Sequence, residues 1–363
     1  MIMMKSISSK FTPLALLAVI FSLCISSCSN DNEDNDSLPP AEGEEEVTDT
    51  TATVAELDSA ELYCTKGEQK IYGYIYKKVK AGEKAPAVIL SHSSSLTHEA
   101  MKGYARAIAD KGYVAYCFDF CGGSSQSKSD GNTDDMTVFT EVDDLKAVIN
   151  AISLLPEVDT DNIFLLGSSQ GGLVSALTAE ELTQHIKGLI LFYPAFNIPE
   201  MVKMFSGLMG GGNWGDMGNW GDMGSWGDMG NWGDMGSWGD MGSWGDMGNW
   251  GDMGNWGDMG NMFSMSETYI NAIKDYDVWS HIGQFDRQVL ILHGTQDFIV
   301  PISNSEKAVT IYPHATLQRI EGANHGFNEA NLGGFGSMMG GSTTNYDGVV
   351  MPFVFDFLEV NTK

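Results

Sequence analysis

Short apolar runs alternate with amphipathic stretches along most of the chain, and the two periodicities predict strands and helices in turn. Gln69 to Val79 alternates and is rich in tyrosine, like an exposed antiparallel strand. Ala87-Val88-Ile89-Leu90-Ser91 is a continuous apolar run, the pattern of a buried strand. Glu99 to Lys111 has helical spacing and is closed by Gly112; Tyr113 to Phe120 is the next buried strand. Glu141 to Leu155 is an amphipathic helix stopped by Pro156. Asn162 to Leu166 is apolar again, and Leu173, Val174, Ala176 and Leu177 follow at helical spacing. Leu189 to Tyr193 and Gln288 to Leu292 are strands, Ser303 to Thr310 a helix, Thr316 to Ile320 a short strand, and Tyr346 to Val360 a terminal helix. Strand and helix alternating in this way predict an α/β fold: a mostly parallel sheet with helices on both faces, in one domain of roughly 240 ordered residues.

Three segments break the pattern. Residues 1–27 have a positive start at Lys5 and Lys10 and an apolar run from Leu14 to Ile25, which is short for a membrane span and suited to a signal peptide. The run ends in Ile25-Ser26-Ser27-Cys28, which resembles a bacterial lipobox. Cys28 is therefore the expected lipidation site, and the exported protein is expected to be held at a membrane by that lipid. Residues 28–58 carry eleven Asp and Glu and no Lys or Arg, the composition of a disordered acidic tether. An acidic run directly after a lipidated cysteine also resembles the surface-export signal of some Gram-negative lipoproteins, which would place the protein on the outer membrane and cell surface; solvated spacing is the alternative. The third segment, within an insertion at 200–265, is eight tandem hexapeptides Asn/Ser-Trp-Gly-Asp-Met-Gly at 213–260. Their period is neither helical nor strand-like, and two glycines per unit make ordering costly. They read either as a low-complexity expansion or as a row of aromatic platforms for sugars and rings.

These segments also account for much of the charge. The chain has 20 basic and 48 acidic residues, a net charge of −28. The tether holds eleven of the acids and the hexapeptides eight, so the remaining domain is only moderately acidic. It has no basic stripe, which argues against nucleic-acid binding. Of five cysteines, Cys24 falls in the signal and Cys28 takes the lipid. Cys64, Cys117 and Cys121 remain, an odd number without metal-type spacing. Cys117 lies in an apolar strand as a small core residue, and pairing of Cys64 with another cysteine stays open.

The chemistry centres on Gly167-Ser168-Ser169-Gln170-Gly171, between a predicted strand and a predicted helix. Gly-x-Ser-x-Gly in that context is the pattern of a nucleophile elbow: a turn so tight that its neighbours must lack side chains, with the serine hydroxyl pushed into the open. The same turn aims the N–H of Gln170 at the position of a developing oxyanion. A serine nucleophile needs a base, and the base needs an orienting acid. Among seven histidines, His325 lies in Gly322-Ala323-Asn324-His325-Gly326-Phe327, just after the last short strand. Asp297 lies in His293-Gly294-Thr295-Gln296-Asp297, leaving the strand before it. Ser169, Asp297 and His325 thus all follow predicted strands, where sites assemble on an open parallel sheet. His92 and His293 read as structural. In His92-Ser93-Ser94-Ser95 the N–H of Ser94 is the expected second oxyanion donor, with Ser93 as the alternative.

Taken together, these motifs resemble an α/β-hydrolase of the dienelactone hydrolase and feruloyl (cinnamoyl) esterase type. The resemblance rests on His92-x-x-x, Asp119-x-x-Gly122-Gly123-Ser124, the elbow, His293-Gly294-x-x-Asp297 and Gly322-Ala323-x-His325-Gly326-Phe327, and covers about residues 60–360 apart from the hexapeptides. It implies a Ser169–Asp297–His325 triad, an acyl-enzyme, carboxylic ester substrates that are small or linked to glycans, and no metal or organic cofactor. It also places a lid where the hexapeptides stand. Serine peptidases and aminopeptidases share the fold, and a surface scaffold displaying its Trp repeats to glycans is the alternative outside enzymes.

Overall fold

The strand-rich pattern closes into an eight-stranded sheet. A computed structural model describes residues 56–209, 265–327 and 344–362, with the side chains of 205–209 excepted. The signal segment with Cys28, the tether up to residue 55 and the hexapeptides at 213–260 lie outside the described residues. The strands are β1 (Asp58–Lys66), β2 (Gln69–Lys77), β3 (Ala85–Ser91), β4 (Val114–Phe118), β5 (Val158–Ser168), β6 (Gly188–Phe192), β7 (Gln288–Gly294) and β8 (Ala315–Ile320). Their spatial order is β1-β2-β4-β3-β5-β6-β7-β8. Pairing is antiparallel for β1/β2 and β2/β4 and parallel from β4 onward, as the alternation of strand and helix predicts.

Side-chain alternation divides the core in two. In β3, Ala87 and Ile89 face one layer while Val88 and Leu90 face the other; in β6, Leu189 and Leu191 separate from Ile190 and Phe192 in the same way. Strands buried on both faces read as unbroken apolar runs for this reason. Helices α1 (Lys102–Asp110) and α7 (Asp347–Asn361) cover the Val88/Leu90 side through Tyr104, Ile108, Val354 and Leu358. The opposite side is covered by α2 (Val138–Ser153), α3 (Gln170–Glu181) and α6 (Ser303–Ile311), with α4 (Ile198–Met209) and α5 (Glu267–Ile273) beside them.

Several elements differ from the sequence expectation, among them α4 and α5, where no helix was expected. β1 was not expected, because only Leu62 and Cys64 of its nine residues are buried and it continues an acidic stretch. It begins at Asp58, the last residue assigned to the tether. The expected helix at Glu99–Lys111 starts as a 3₁₀ turn at His98–Met101 before α1 proper. The helix expected at Glu141 starts at Val138, because Thr137 and Thr140 close a reciprocal capping box one turn earlier.

Candidate active site

The parallel strands deliver the candidate residues to one edge. Ser91 at the end of β3 lies opposite Gly167 of β5, and Ser168 lies opposite Phe192 of β6. Ser169 is the next residue, held at φ 52° and ψ −117°, a conformation that L-residues rarely adopt. Its backbone is tied in place: its N–H donates to Phe192 O at 2.9 Å, and its carbonyl accepts from Ala195 N at 3.0 Å. The flanking glycines are needed because the turn is crowded. A Cβ on Gly171 would sit 2.4 Å from His92 O, and one on Gly167 would sit 2.2 Å from Gly171 O.

The chain then brings three distant segments together. Ser169 follows β5, Asp297 lies in the loop after β7, and His325 lies in the loop after β8. His325 Nε2 is 3.0 Å from Ser169 Oγ, and His325 Nδ1 is 2.8 Å from Asp297 Oδ2. The two supporting loops are stitched to each other: Gln296 N donates to Ala323 O at 2.9 Å and Gly322 N to Thr295 Oγ1 at 2.9 Å. Gly294 permits that approach, since a Cβ there would meet Ala323 O at 2.2 Å. All three side chains are buried.

Both oxygens of Asp297 are engaged. Oδ1 accepts from the N–H groups of Ile299 (3.0 Å) and Val300 (2.9 Å), and Oδ2 faces His325 and, at 3.2 Å, His293 Nε2. Burial alone would raise its pKa. The charge of His325 and the hydrogen bonds from His293 and His325 reverse that and hold the carboxyl well below its ordinary range. An ionised Asp297 accepts the Nδ1–H of His325, which leaves Nε2 as an acceptor toward the serine. The Tyr193 ring packs against the imidazole, tilted by 58° with centroids 4.5 Å apart.

His92 and His293, expected to be structural, are each held by hydrogen bonds to neighbouring loops. His92 Nδ1 donates to Ser93 O at 2.8 Å while its Nε2 accepts from Phe120 N at 3.3 Å, so the ring staples the β3 and β4 loops. Burial lowers its pKa despite the Ser93 carbonyl. His293 is held between Ser305 Oγ (2.6 Å) and Val300 O (2.8 Å) and supports Asp297. Asp119 organises the loop after β4 by accepting from His98 Nδ1, His98 N and Lys128 N at 2.7, 2.7 and 2.8 Å.

Of the two expected oxyanion donors, Gln170 directly follows the elbow serine. Gln170 is the first residue of α3, so its N–H has no acceptor within that helix. Ser94 lies exposed on the loop leaving β3, whereas the Ser93 side chain turns inward to Ser168 Oγ at 3.0 Å. Cys64, Cys117 and Cys121 are all free and buried, without a disulfide. Among the described residues, no group of three His, Cys, Asp or Glu side chains converges as a metal site.

Sequence reasoning missed the surroundings of Gln170. Its amide Nε2 donates to Glu141 Oε2 at 2.7 Å, and its Oε1 accepts from Tyr269 at 2.8 Å. These partners lie 29 and 99 residues away, so no local pattern announces them.

A family model described as serine aminopeptidase, S33, matches residues 82–212. The chain is 32% identical over 145 residues to a proline iminopeptidase of Thermoplasma volcanium, covering 39% of this chain and 46% of that protein. A proline iminopeptidase of Flavobacterium johnsoniae is 28% identical over 137 residues, covering 38% and 43%. The chain thus spans about half the length of the curated relatives it matches. Among solved structures, Est1E from Butyrivibrio proteoclasticus with bound ferulic acid is similar at 24% identity and a TM-score of 0.53, covering 73% of this chain and 90% of that one. DcsB in complex with its substrate analogue is similar at 18% identity and 0.54, covering 84% and 99%. The chain has the α/β-hydrolase fold.

Proposed function

We propose that the protein is a serine hydrolase that cleaves carboxylic esters through Ser169, His325 and Asp297. The observation that carries this reading is the single imidazole bridging Ser169 Oγ at 3.0 Å and Asp297 Oδ2 at 2.8 Å. Ser169 Oγ attacks the ester carbonyl and His325 Nε2 takes its proton. The imidazolium that forms is stabilised by ionised Asp297. The carbonyl oxygen, now negative, is received by the N–H groups of Gln170 and Ser94. His325 returns the proton to the leaving alcohol, and the acyl group stays on Ser169. Water, deprotonated by His325, then releases the acid and restores the serine.

An aromatic acyl group such as a hydroxycinnamoyl ester, free or on a glycan, is the substrate class we favour, on the likeness to the ferulic acid complex of Est1E and on the Trp-rich sequence at 213–260. The second reading is a peptidase on the same residues, favoured by the family model and the iminopeptidase relatives. Residues 1–58 support export and anchoring by a lipid on Cys28. A panel of p-nitrophenyl esters, hydroxycinnamate esters and aminoacyl amides separates the enzymatic readings. Turnover of esters with at most trace amide cleavage is expected; preference for aminoacyl amides would replace the esterase reading. A glycan scaffold would turn over none of them.

A further inference from the structure

Gln170 contributes its N–H to the catalytic turn while its side chain runs the other way, into the protein, where it is held at both ends. The residue is only 2% exposed. Its Nε2 donates to Glu141 Oε2 of α2 at 2.7 Å, and its Oε1 accepts from the Tyr269 hydroxyl of α5 at 2.8 Å. Tyr269 is itself fixed, since its N–H is capped by Ser266 Oγ at 3.0 Å in the first turn of α5. Three helices are thereby joined through one amide directly beneath the elbow.

This arrangement is expensive for the fold. Glu141 is 1% exposed, and among the described residues no cation forms an ion pair with it. The nearby Lys66 Nζ pairs with Asp144, one turn further along α2. Burial pushes the Glu141 carboxyl up to about 8, against the hydrogen bond from Gln170 and with help from the charge of Asp144. An apolar side chain in such a position often leaves a protein as stable or more so. The polar chain makes sense if it fixes an atom whose placement matters. The N–H of Gln170 is such an atom: it starts α3 next to a strained serine, and an oxyanion donor works only when it is oriented before charge develops.

We propose that Glu141 and Tyr269 are positioning residues that clamp the Gln170 amide from its two ends and so hold its backbone N–H on the developing oxyanion. The proposal rests on the ester-hydrolase reading above. It makes α5, where the described chain resumes at the far side of the hexapeptide segment, a structural partner of the catalytic turn.

A neutral Glu141 is part of the clamp. The groups facing it are Asp144 on α2 with its Lys66 partner on β1, Gln170 on α3, Tyr269 on α5, and Cys121 on the loop after β4, whose N–H binds Asp144 at 2.8 Å. Loss of the Glu141 proton puts a negative charge behind the oxyanion donor, which opposes the charge forming in front of it.

The test uses the full chain and four variants, with p-nitrophenyl acetate as substrate and a trifluoromethyl ketone as transition-state mimic. Glu141→Leu and Tyr269→Phe should lower kcat and weaken the inhibitor about tenfold, with KM within twofold of the parent. Glu141→Leu should keep or raise Tm. Glu141→Gln, which keeps an acceptor facing the Gln170 amide, should recover most of the loss and should lack the fall in kcat that the parent shows as pH rises through about 8. Parent-like kcat and inhibitor affinity in Tyr269→Phe and Glu141→Leu would overturn the proposal, as would losses that merely follow Tm. If Glu141→Leu fails to fold, Tyr269→Phe decides alone. Ser169→Ala is the fourth variant: if it is inactive and the clamp variants are normal, only this inference fails, whereas an active Ser169→Ala removes the underlying reading.

Discussion

At the scale of single residues, the orientation of His325 depends on what Asp297 accepts. Asp297→Asn would put an NH₂ where Oδ2 now receives His325 Nδ1–H at 2.8 Å. The imidazole must then present Nδ1 as an acceptor and carry its proton on Nε2, where it cannot take one from Ser169. The same NH₂ would face the Nε2–H of His293. kcat should fall roughly 10³- to 10⁴-fold with KM little changed, as measured by steady-state kinetics on an ester. Near-parental turnover would mean that another group orients the base.

Ser169, Asp297 and His325 were legible because each carries its own local signature: glycines around a turn, or a short polar loop directly after an apolar run. Glu141 and Tyr269 were not. In sequence, Glu141 is one more acid at the start of an amphipathic helix, and its burial against Gln170 depends on how α2 packs on α3. The structural roles expected for His92 and His293 follow from their positions at strand ends, although the partners that fix them come from other loops.

At the scale of elements, the elbow is a close approach of backbones, and its glycines can be tested separately from its chemistry. Gly171→Ala would press a methyl against His92 O at 2.4 Å and Ser91 O at 2.5 Å. A loss of about 3 kcal/mol is expected, lowering Tm by roughly 6–12 °C. Gly103→Ala is the contrasting change: the site is exposed on α1 and a Cβ there meets nothing within 4 Å, so a gain of about 0.5–1 kcal/mol is expected. Equal effects in the two variants would contradict the packing described for the elbow.

The α2–α3 contact also predicts a pH dependence of stability. Glu141 has its folded pKa raised to about 8, from an ordinary value of 4.5. Between those values the folded chain keeps a proton that the unfolded chain has released, so stability from this group falls as pH rises from about 4.5 through about 8. Glu141→Gln removes the titration. Its Tm relative to the parent should therefore rise between pH 5 and pH 8.5, measured by thermal unfolding. A constant difference across that range would show that Glu141 titrates alike in the folded and unfolded chains.

The elements expected from periodicity were found with small shifts at their ends, whereas α4 and α5 on either side of the hexapeptides were not expected. The central strands were clear because both faces are buried, whereas β1 was hidden because an edge strand with two buried side chains resembles the acidic segment before it.

At the scale of the molecule, the hexapeptide segment departs from α4 and the described chain returns at α5. Those two helices pack against each other, and Lys203 Nζ of α4 lies 3.4 Å from Asp275 Oδ1, just past the end of α5. α4 and α5 are therefore neighbours, and a short glycine-serine linker in place of residues 213–260 is expected to leave both helices where they are. Loop length itself matters little, at about 0.6 kcal/mol per doubling. The deleted protein should keep its Tm within a few degrees and its kcat on p-nitrophenyl acetate. A role for the eight Trp residues would appear as a selective fall in kcat/KM on a feruloylated oligosaccharide. Loss of folding would show that the hexapeptides contribute to the core.

The central claim is that Ser169 is a nucleophile activated by His325, and reaction with a fluorophosphonate probe tests it most directly. The protein should take up one equivalent, and peptide mass spectrometry should place the adduct on Ser169. Ester hydrolysis should be lost in step with labelling, and Ser169→Ala should neither react nor turn over while unfolding at the parental Tm. A folded parent protein that leaves Ser169 unlabelled, or a Ser169→Ala variant that still hydrolyses esters, would contradict it.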